Sequence, residues 1–153
     1  MEKPLKVHFS SKKMDWETPQ ALFDGLNKEF KFDIDVCATA SNTKTYPFYY
    51  GPGSTREDGL AESWCLHHKT CWMNPPYGKE IVKWVAKAYE ESLHGVTTVA
   101  LVPARTDTRW FHDYIYNKPN VEIRFLKGRV KFVGAKHAAP FPSMIVIFRG
   151  TNG

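Results

Sequence analysis

Between residues 71 and 126 apolar runs alternate with amphipathic stretches, and few folds accept that alternation. Val96 to Val102 is apolar throughout, as a strand covered on both faces must be. Ahead of it, Val82, Val85, Ala88, Tyr89 and Leu93 recur at helical spacing, which predicts a helix from Lys79 to Leu93 stopped by Gly95. Cys71 to Met73 reads as a buried strand, Asp107 to Tyr116 as a helix and Val121 to Leu126 as a strand. Strand and helix in turn require right-handed crossovers and a parallel sheet. Arg129 to Val133 and Met144 to Phe148 read as two more strands with no helix between them, so the sheet is expected to end on an antiparallel pair.

Upstream the pattern is shorter. Thr18-Pro19 looks like an N-cap followed by a proline of the first turn. Leu22, Leu26 and Phe30 continue at helical spacing, predicting a helix over about 19–29. Phe32 to Val36 alternates apolar and acidic side chains, a short strand ending near Asp35. Residues 37–69 hold Tyr46, Phe48, Tyr49 and Tyr50, then Gly51-Pro52-Gly53, and are expected to be mostly loop. A loop that long in a small chain is either functional or hides an element. Its aromatic stretch, 46–53, fits a lid, a wedge into a duplex or a packed loop. With 153 residues, the chain can bury roughly two-thirds of its unfolded surface. Residues 1–14 are read as a loose polar arm and 15–150 as one domain.

Charge and cysteine content narrow the classes. The formal net charge is +5, compatible with nucleic acid and equally with an ordinary basic domain. Cys37, Cys65 and Cys71 form an odd, sparse set, not a disulfide framework, which favours a reducing cytoplasm. No apolar run approaches the roughly 18 residues that span a bilayer. Cys65, His67, His68 and Cys71 have the residue types and short spacing of zinc ligands. Cys71 falls in a predicted strand, however, and a second ligand pair is missing, so no metal is expected.

The chemistry concentrates at Asn74-Pro75-Pro76-Tyr77. This corner follows the strand at 71–73, so it lies beyond the carboxyl end of a strand, where open parallel sheets bind ligands. Each proline fixes its own φ and restricts the residue before it. The Asn74 amide and the backbone carbonyls therefore point in set directions. Two fixed acceptors beside a ring suit a planar exocyclic amine, whose lone pair is delocalised and whose nitrogen is a poor nucleophile. Acceptors on both N–H bonds stabilise the positive charge that grows during attack. An aromatic ring holds the base in line, and a base within a duplex must first be flipped out. The same four residues also suit a purely structural turn.

More of the chain bears on that choice. Asn74-Pro75-Pro76-Tyr77 resembles the Asn/Asp-Pro-Pro-Tyr/Phe motif of amino-methyltransferases that use S-adenosylmethionine. Further segments are similar to one branch, the small Dam-like phage DNA adenine-N6 methyltransferases. They are Asp15 to Pro19, Phe32 to Ala38 with Asn42, Asp58-Gly59-Leu60 with Trp64, Leu101 to Asp107, Gly128 to Phe132, and Pro140 to Met144. The resemblance spans about 15–148 and implies an α/β fold: a Rossmann-like methyltransferase sheet of reduced size, mostly parallel, with an antiparallel C-terminal strand.

The resemblance also implies roles. Asn74, Pro75, Pro76 and Tyr77 would hold the target base. Trp16, Thr18 and Pro19 would stand at the methionine and sulfonium end of S-adenosylmethionine, Asp35, Cys37 and Ala38 where the first strand meets it, and Asp58 and Leu60 near its adenine. Phe132 would lie against the flipped base. By residue type and position alone, Arg105, Arg109, Arg129, Lys131, Lys136 and His137 form a basic set on predicted loops and strand ends that suits DNA phosphates or plain solvated charge, with Arg105 and Arg129 foremost and Lys131 beside them. The chain departs from the family in three ways: Cys37-Ala38-Thr39-Ala40 has no glycine, no acidic residue for the ribose stands out over 39–57, and there is no separate recognition domain. The expected activity is adenine-N6 methylation of DNA in the cytoplasm of a bacterial host, by a monomer or a homodimer. The same chemistry on RNA or on a protein glutamine, and a non-catalytic DNA-binding module, are the alternatives.

Overall fold

The computed structural model describes residues 16–65 and 70–151. Its elements are α1 (Gln20–Phe30), β1 (Ile34–Asp35), a 3-10 turn (Gly59–Ala61), β2 (Thr70–Met73), α2 (Ile81–Ser92), β3 (Thr97–Pro103), α3 (Arg109–Tyr114), β4 (Val121–Phe125) and β5 (Ser143–Phe148). The arm expected at 1–14 lies outside the described residues.

The strands make one mixed sheet in the order β1-β2-β3-β5-β4. β1, β2 and β3 pair in parallel, while β5 pairs antiparallel with β3 on one side and β4 on the other. Four strands thus run one way and β5 alone is reversed. All six residues of β5 are buried, and from Met144 to Phe148 they are apolar, so this strand takes the inner place. β4 carries Glu122 and Arg124 and takes the edge, where charged side chains reach water.

The strand expected at Arg129 to Val133 does not form, and the antiparallel pair is made by β4 and β5 instead. Hydrogen bonds draw this stretch away from the sheet. The Val133 N–H donates to the Glu17 carbonyl at 3.0 Å, and the Ala139 N–H to the Val130 carbonyl at 2.8 Å. Phe132 is buried among aromatic rings. The apolar alternation of 129–133 therefore serves a loop folded back over the sheet's edge.

Side chains cover the sheet on both faces. Trp72 meets Phe23 of α1 at 5.4 Å and Phe32 at 5.6 Å between ring centroids. Strand alternation turns Cys71 and Met73, both fully buried, to the opposite side. Each such large apolar side chain contributes about 1.5–3 kcal/mol by leaving water. The described part of the connection, 37–65, is irregular apart from the 3-10 turn, as expected, but anchored. Tyr49 forms a single parallel bridge with Asp35, and Trp64, wholly buried, donates from Nε1 to the Gly59 carbonyl at 2.9 Å. β1, β2 and β3 all end on one edge, so the residues after Asp35, Met73 and Pro103 meet there.

Candidate active site

A cavity of about 480 Å³ opens on that edge. Its floor is Asp35, Cys37 and Ala38 after β1, with Asn74 and Pro76 after β2. Trp16, Glu17 and Thr18 line one side, and Glu57, Asp58 and Gly59 another. The connection supplies Thr39, Asn42, Lys44, Tyr50, Gly51 and Pro52, and the remaining wall includes Trp72, Trp84 and Val133. Of the residues singled out from the sequence, Trp16, Thr18, Asp35, Cys37, Ala38, Asp58, Asn74 and Pro76 meet around this one space. Pro19, Leu60, Pro75 and Tyr77 are not among the residues that line it. Glu17, Lys44, Glu57 and Trp84 were not singled out, because nothing in their local sequence marks them.

Asp35 is 3% exposed. Its carboxylate accepts from the Cys37 N–H at 3.3 Å and from the Lys44 N–H at 3.1 Å. Burial pushes its pKa up to about 7, against the opposing pull of those two N–H groups and of the Lys44 charge. The Lys44 ammonium itself sits 3.6 Å from Glu17 and 3.2 Å from the Gln20 amide oxygen.

The turn after β1 lacks glycine, yet two glycines from elsewhere pack against it. A Cβ on Gly51 would lie 1.6 Å from the Ala38 carbonyl oxygen, and one on Gly59 2.2 Å from the Val36 carbonyl oxygen. Neither approach leaves room for a side chain. The neighbouring Asp58 carboxylate caps the 3-10 turn, accepting from the Leu60 N–H at 3.0 Å. Turn chemistry thereby fixes this exposed acid at the cavity mouth.

At the proline corner, the Asn74 Nδ2 donates to the Trp16 carbonyl and, at 2.9 Å, to the Thr18 hydroxyl. The Tyr77 hydroxyl lies 2.9 Å from Asn74 Oδ1 and 2.8 Å from the Leu101 carbonyl. Tyr77 is 5% exposed, and burial pushes its pKa well above the ordinary tyrosine value. Phe141 and Phe132 pack edge-on against it at 5.8 and 6.2 Å. Trp16 joins the same cluster, 5.2 Å from Phe141 and 5.3 Å from Phe132. Here the Tyr77 ring belongs to the core beneath the corner instead of facing the cavity.

Phe132 likewise sits inside this cluster, not on the surface. Arg105, Arg129 and Lys131 are exposed. The Arg105 guanidinium lies over the Phe141 ring at 5.8 Å, and Arg129 donates to the Ala139 carbonyl at 3.3 Å. Arg109, Lys136 and His137 are exposed as well. Cys65 is exposed and Cys71 buried, while His67 and His68 lie outside the described residues.

Comparison with known proteins gives this geometry a context. Residues 7–152 match the profile of a family described as DNA N-6-adenine-methyltransferase (Dam). The chain is 30% identical over 150 residues to the DNA N-6-adenine-methyltransferase of Haemophilus phage HP1 (strain HP1c1), covering 91% of this chain and 82% of that protein. It is 29% identical over 107 residues to the protein of the same description from Escherichia phage T1, covering 69% of this chain and 42% of that longer one.

Proposed function

This chain belongs to the DNA N-6-adenine-methyltransferase (Dam) family, and from that premise we propose how its residues serve an adenine-specific DNA methyltransferase. The substrate is DNA. S-adenosylmethionine, when bound, supplies a methyl group carried on a sulfonium cation. The cavity fits such a molecule. Its volume, about 480 Å³, falls in the roughly 300–1,000 Å³ range of small-molecule sites. Carboxylates of Glu17, Asp35, Glu57 and Asp58 suit the cationic parts, and the rings of Trp16, Trp72 and Trp84 suit a purine and a sulfonium.

Within that reading Trp16, Thr18 and Pro19 flank the methionine end, Asp35, Cys37 and Ala38 the middle, and Asp58 with Leu60 the adenine end. Asn74 Oδ1 and the Pro75 carbonyl accept the two N–H bonds of the flipped adenine's amine. Two acceptors favour a pyramidal nitrogen and stabilise the positive charge that develops on it, so no general base is needed before transfer. The methylated nitrogen, strongly acidic while protonated, releases its proton to water. Tyr77 stacks on the base, which requires the rings of Phe132 and Phe141 to part from it. Arg105, Arg129 and Lys131 neutralise phosphates.

The sheet is then a reduced Rossmann-like methyltransferase sheet with β5 as its antiparallel strand, and 15–150 a single domain preceded by an arm. A homodimer would enlarge the DNA contact. Among the described residues no helix is long and apolar enough to cross a membrane. The host cytoplasm, where phage-encoded enzymes meet DNA, is the proposed setting.

The observation that carries the mechanism is that Asn74 opens onto the same cavity as Asp35 and Asp58. Incubation with unmethylated DNA and S-adenosylmethionine, followed by digestion to nucleosides and mass spectrometry, is expected to yield N6-methyladenine. Asn74→Ala should yield none while still binding S-adenosylmethionine in calorimetry. Loss of both together would remove Asn74 from its role. Blank DNA, RNA and protein assays with the native chain would favour a binding module.

A further inference from the structure

We propose that Thr18 is a positioning residue for the transfer step: with the Trp16 carbonyl it takes the two Nδ2 hydrogens of Asn74, fixing the carboxamide so that its oxygen, beside the Tyr77 hydroxyl, is the end left to accept from the target amine. The inference rests on the methyl-transfer reading and adds to it a determinant of the acceptor's orientation. A carboxamide has an oxygen that only accepts and a nitrogen that only donates, and in isolation the two ends exchange places easily. At Asn74 they do not. Were the amide reversed, Oδ1 would face the Trp16 carbonyl oxygen, acceptor against acceptor. The Thr18 hydroxyl, 2.9 Å from Nδ2 on a residue 1% exposed, accepts the other hydrogen.

The oxygen end is arranged to match. Near Oδ1 stands the Tyr77 hydroxyl, whose single hydrogen is shared between Asn74 Oδ1 at 2.9 Å and the Leu101 carbonyl at 2.8 Å. One hydrogen cannot saturate two carbonyl oxygens, each with two lone pairs. Oδ1 therefore keeps the capacity to accept an N–H. When an amine arrives, the tyrosine hydrogen can pass fully to Leu101 and leave Oδ1 the stronger acceptor. Thr18 and Trp16 come from a segment whose backbone is tied to Val133, so the clamp does not depend on the corner's own prolines.

The test compares Thr18→Val, which keeps the shape and removes the acceptor, with Thr18→Ser, which keeps the acceptor and removes a methyl. Transfer to DNA, S-adenosylmethionine affinity by calorimetry and melting temperature are measured for both. Thr18→Val is expected to lower kcat at saturating cofactor roughly tenfold, the scale of one lost hydrogen bond, over and above any change in cofactor affinity, and Thr18→Ser to recover most of that loss. A Thr18→Val enzyme with unchanged kcat overturns the proposal. So does one whose defect is confined to cofactor affinity, because Thr18 is then a cofactor contact. If Thr18→Val does not fold, the wild-type Asn74 side-chain N–H pair, assigned by its loss in Asn74→Asp, decides: slow hydrogen exchange of both supports the clamp and fast exchange overturns it. An inactive wild type is a separate result, overturning the transfer reading and the proposal with it.

Discussion

Asp35 is poised between its two charge states at neutral pH, with a pKa pushed up to about 7 by burial. In the folded chain the proton is held up to that pH, whereas in the unfolded chain it leaves near 3.8. Folding therefore favours the protonated form, and the stability tied to this group falls as pH rises between those two values. A cationic ligand in the cavity reverses the preference by favouring the carboxylate. Affinity for S-adenosylmethionine is expected to rise with pH through that range, by up to about tenfold per unit below the pKa. Calorimetry between about pH 6 and 8 should reveal the slope, and Asp35→Asn should flatten it. The positions of Asp35 and Asn74 were legible because one ends a strand and the other directly follows one, at the edge where the cavity opens. The burial of Tyr77 and Phe132 was not. It depends on 129–141 folding back to bring in Phe141, a contact that no local pattern encodes.

The elements behave as the periodicities require wherever those periodicities are long. α1, α2, β3 and β5 stand within two residues of where spacing put them, because a helix face or a doubly buried strand must repeat its apolar residues. Arg129 to Val133 shows the limit: five residues of strand-like alternation suit a loop just as well when their hydrogen bonds go elsewhere. The turn after β1 is the reverse case. Its tightness was invisible because the glycines that permit it are Gly51 and Gly59, not neighbours in sequence. Gly59→Ala would set a Cβ 2.2 Å from a backbone oxygen and 3.1 Å from the Trp84 ring. Since the oxygen cannot step aside, the variant should lose about 1–3 kcal/mol. The loss should appear as a lower midpoint in urea with an unchanged slope, accompanied by weaker cofactor binding as the Asp58 turn shifts.

For the whole molecule, the net charge of +5 matters through where it is displayed. Arg105, Arg129 and Lys131 are all exposed. If they meet phosphates, Arg129→Ala and Lys131→Ala should each weaken binding to any DNA sequence and each reduce the slope of log affinity against log salt by about 1. A changed sequence preference with an unchanged slope would instead make them readers of bases. The common direction of β2, β3 and β4 was legible from the alternation over 71–126, but their order along the sheet was not. The insertion of β5 between β3 and β4 agrees with the apolar run Met144 to Phe148 only once the edge is seen to suit the charged residues of β4. The hydrogen bonds at the corner have one more consequence. Asn74 is held by Trp16 and Thr18, and Glu17 between them is held by Val133. The proposed acceptor is thus a knot tied with thread from three stretches far apart in sequence. Cut the loop at Val133 and every group proposed to touch the base's amine would remain, with the thread that ties them in place gone.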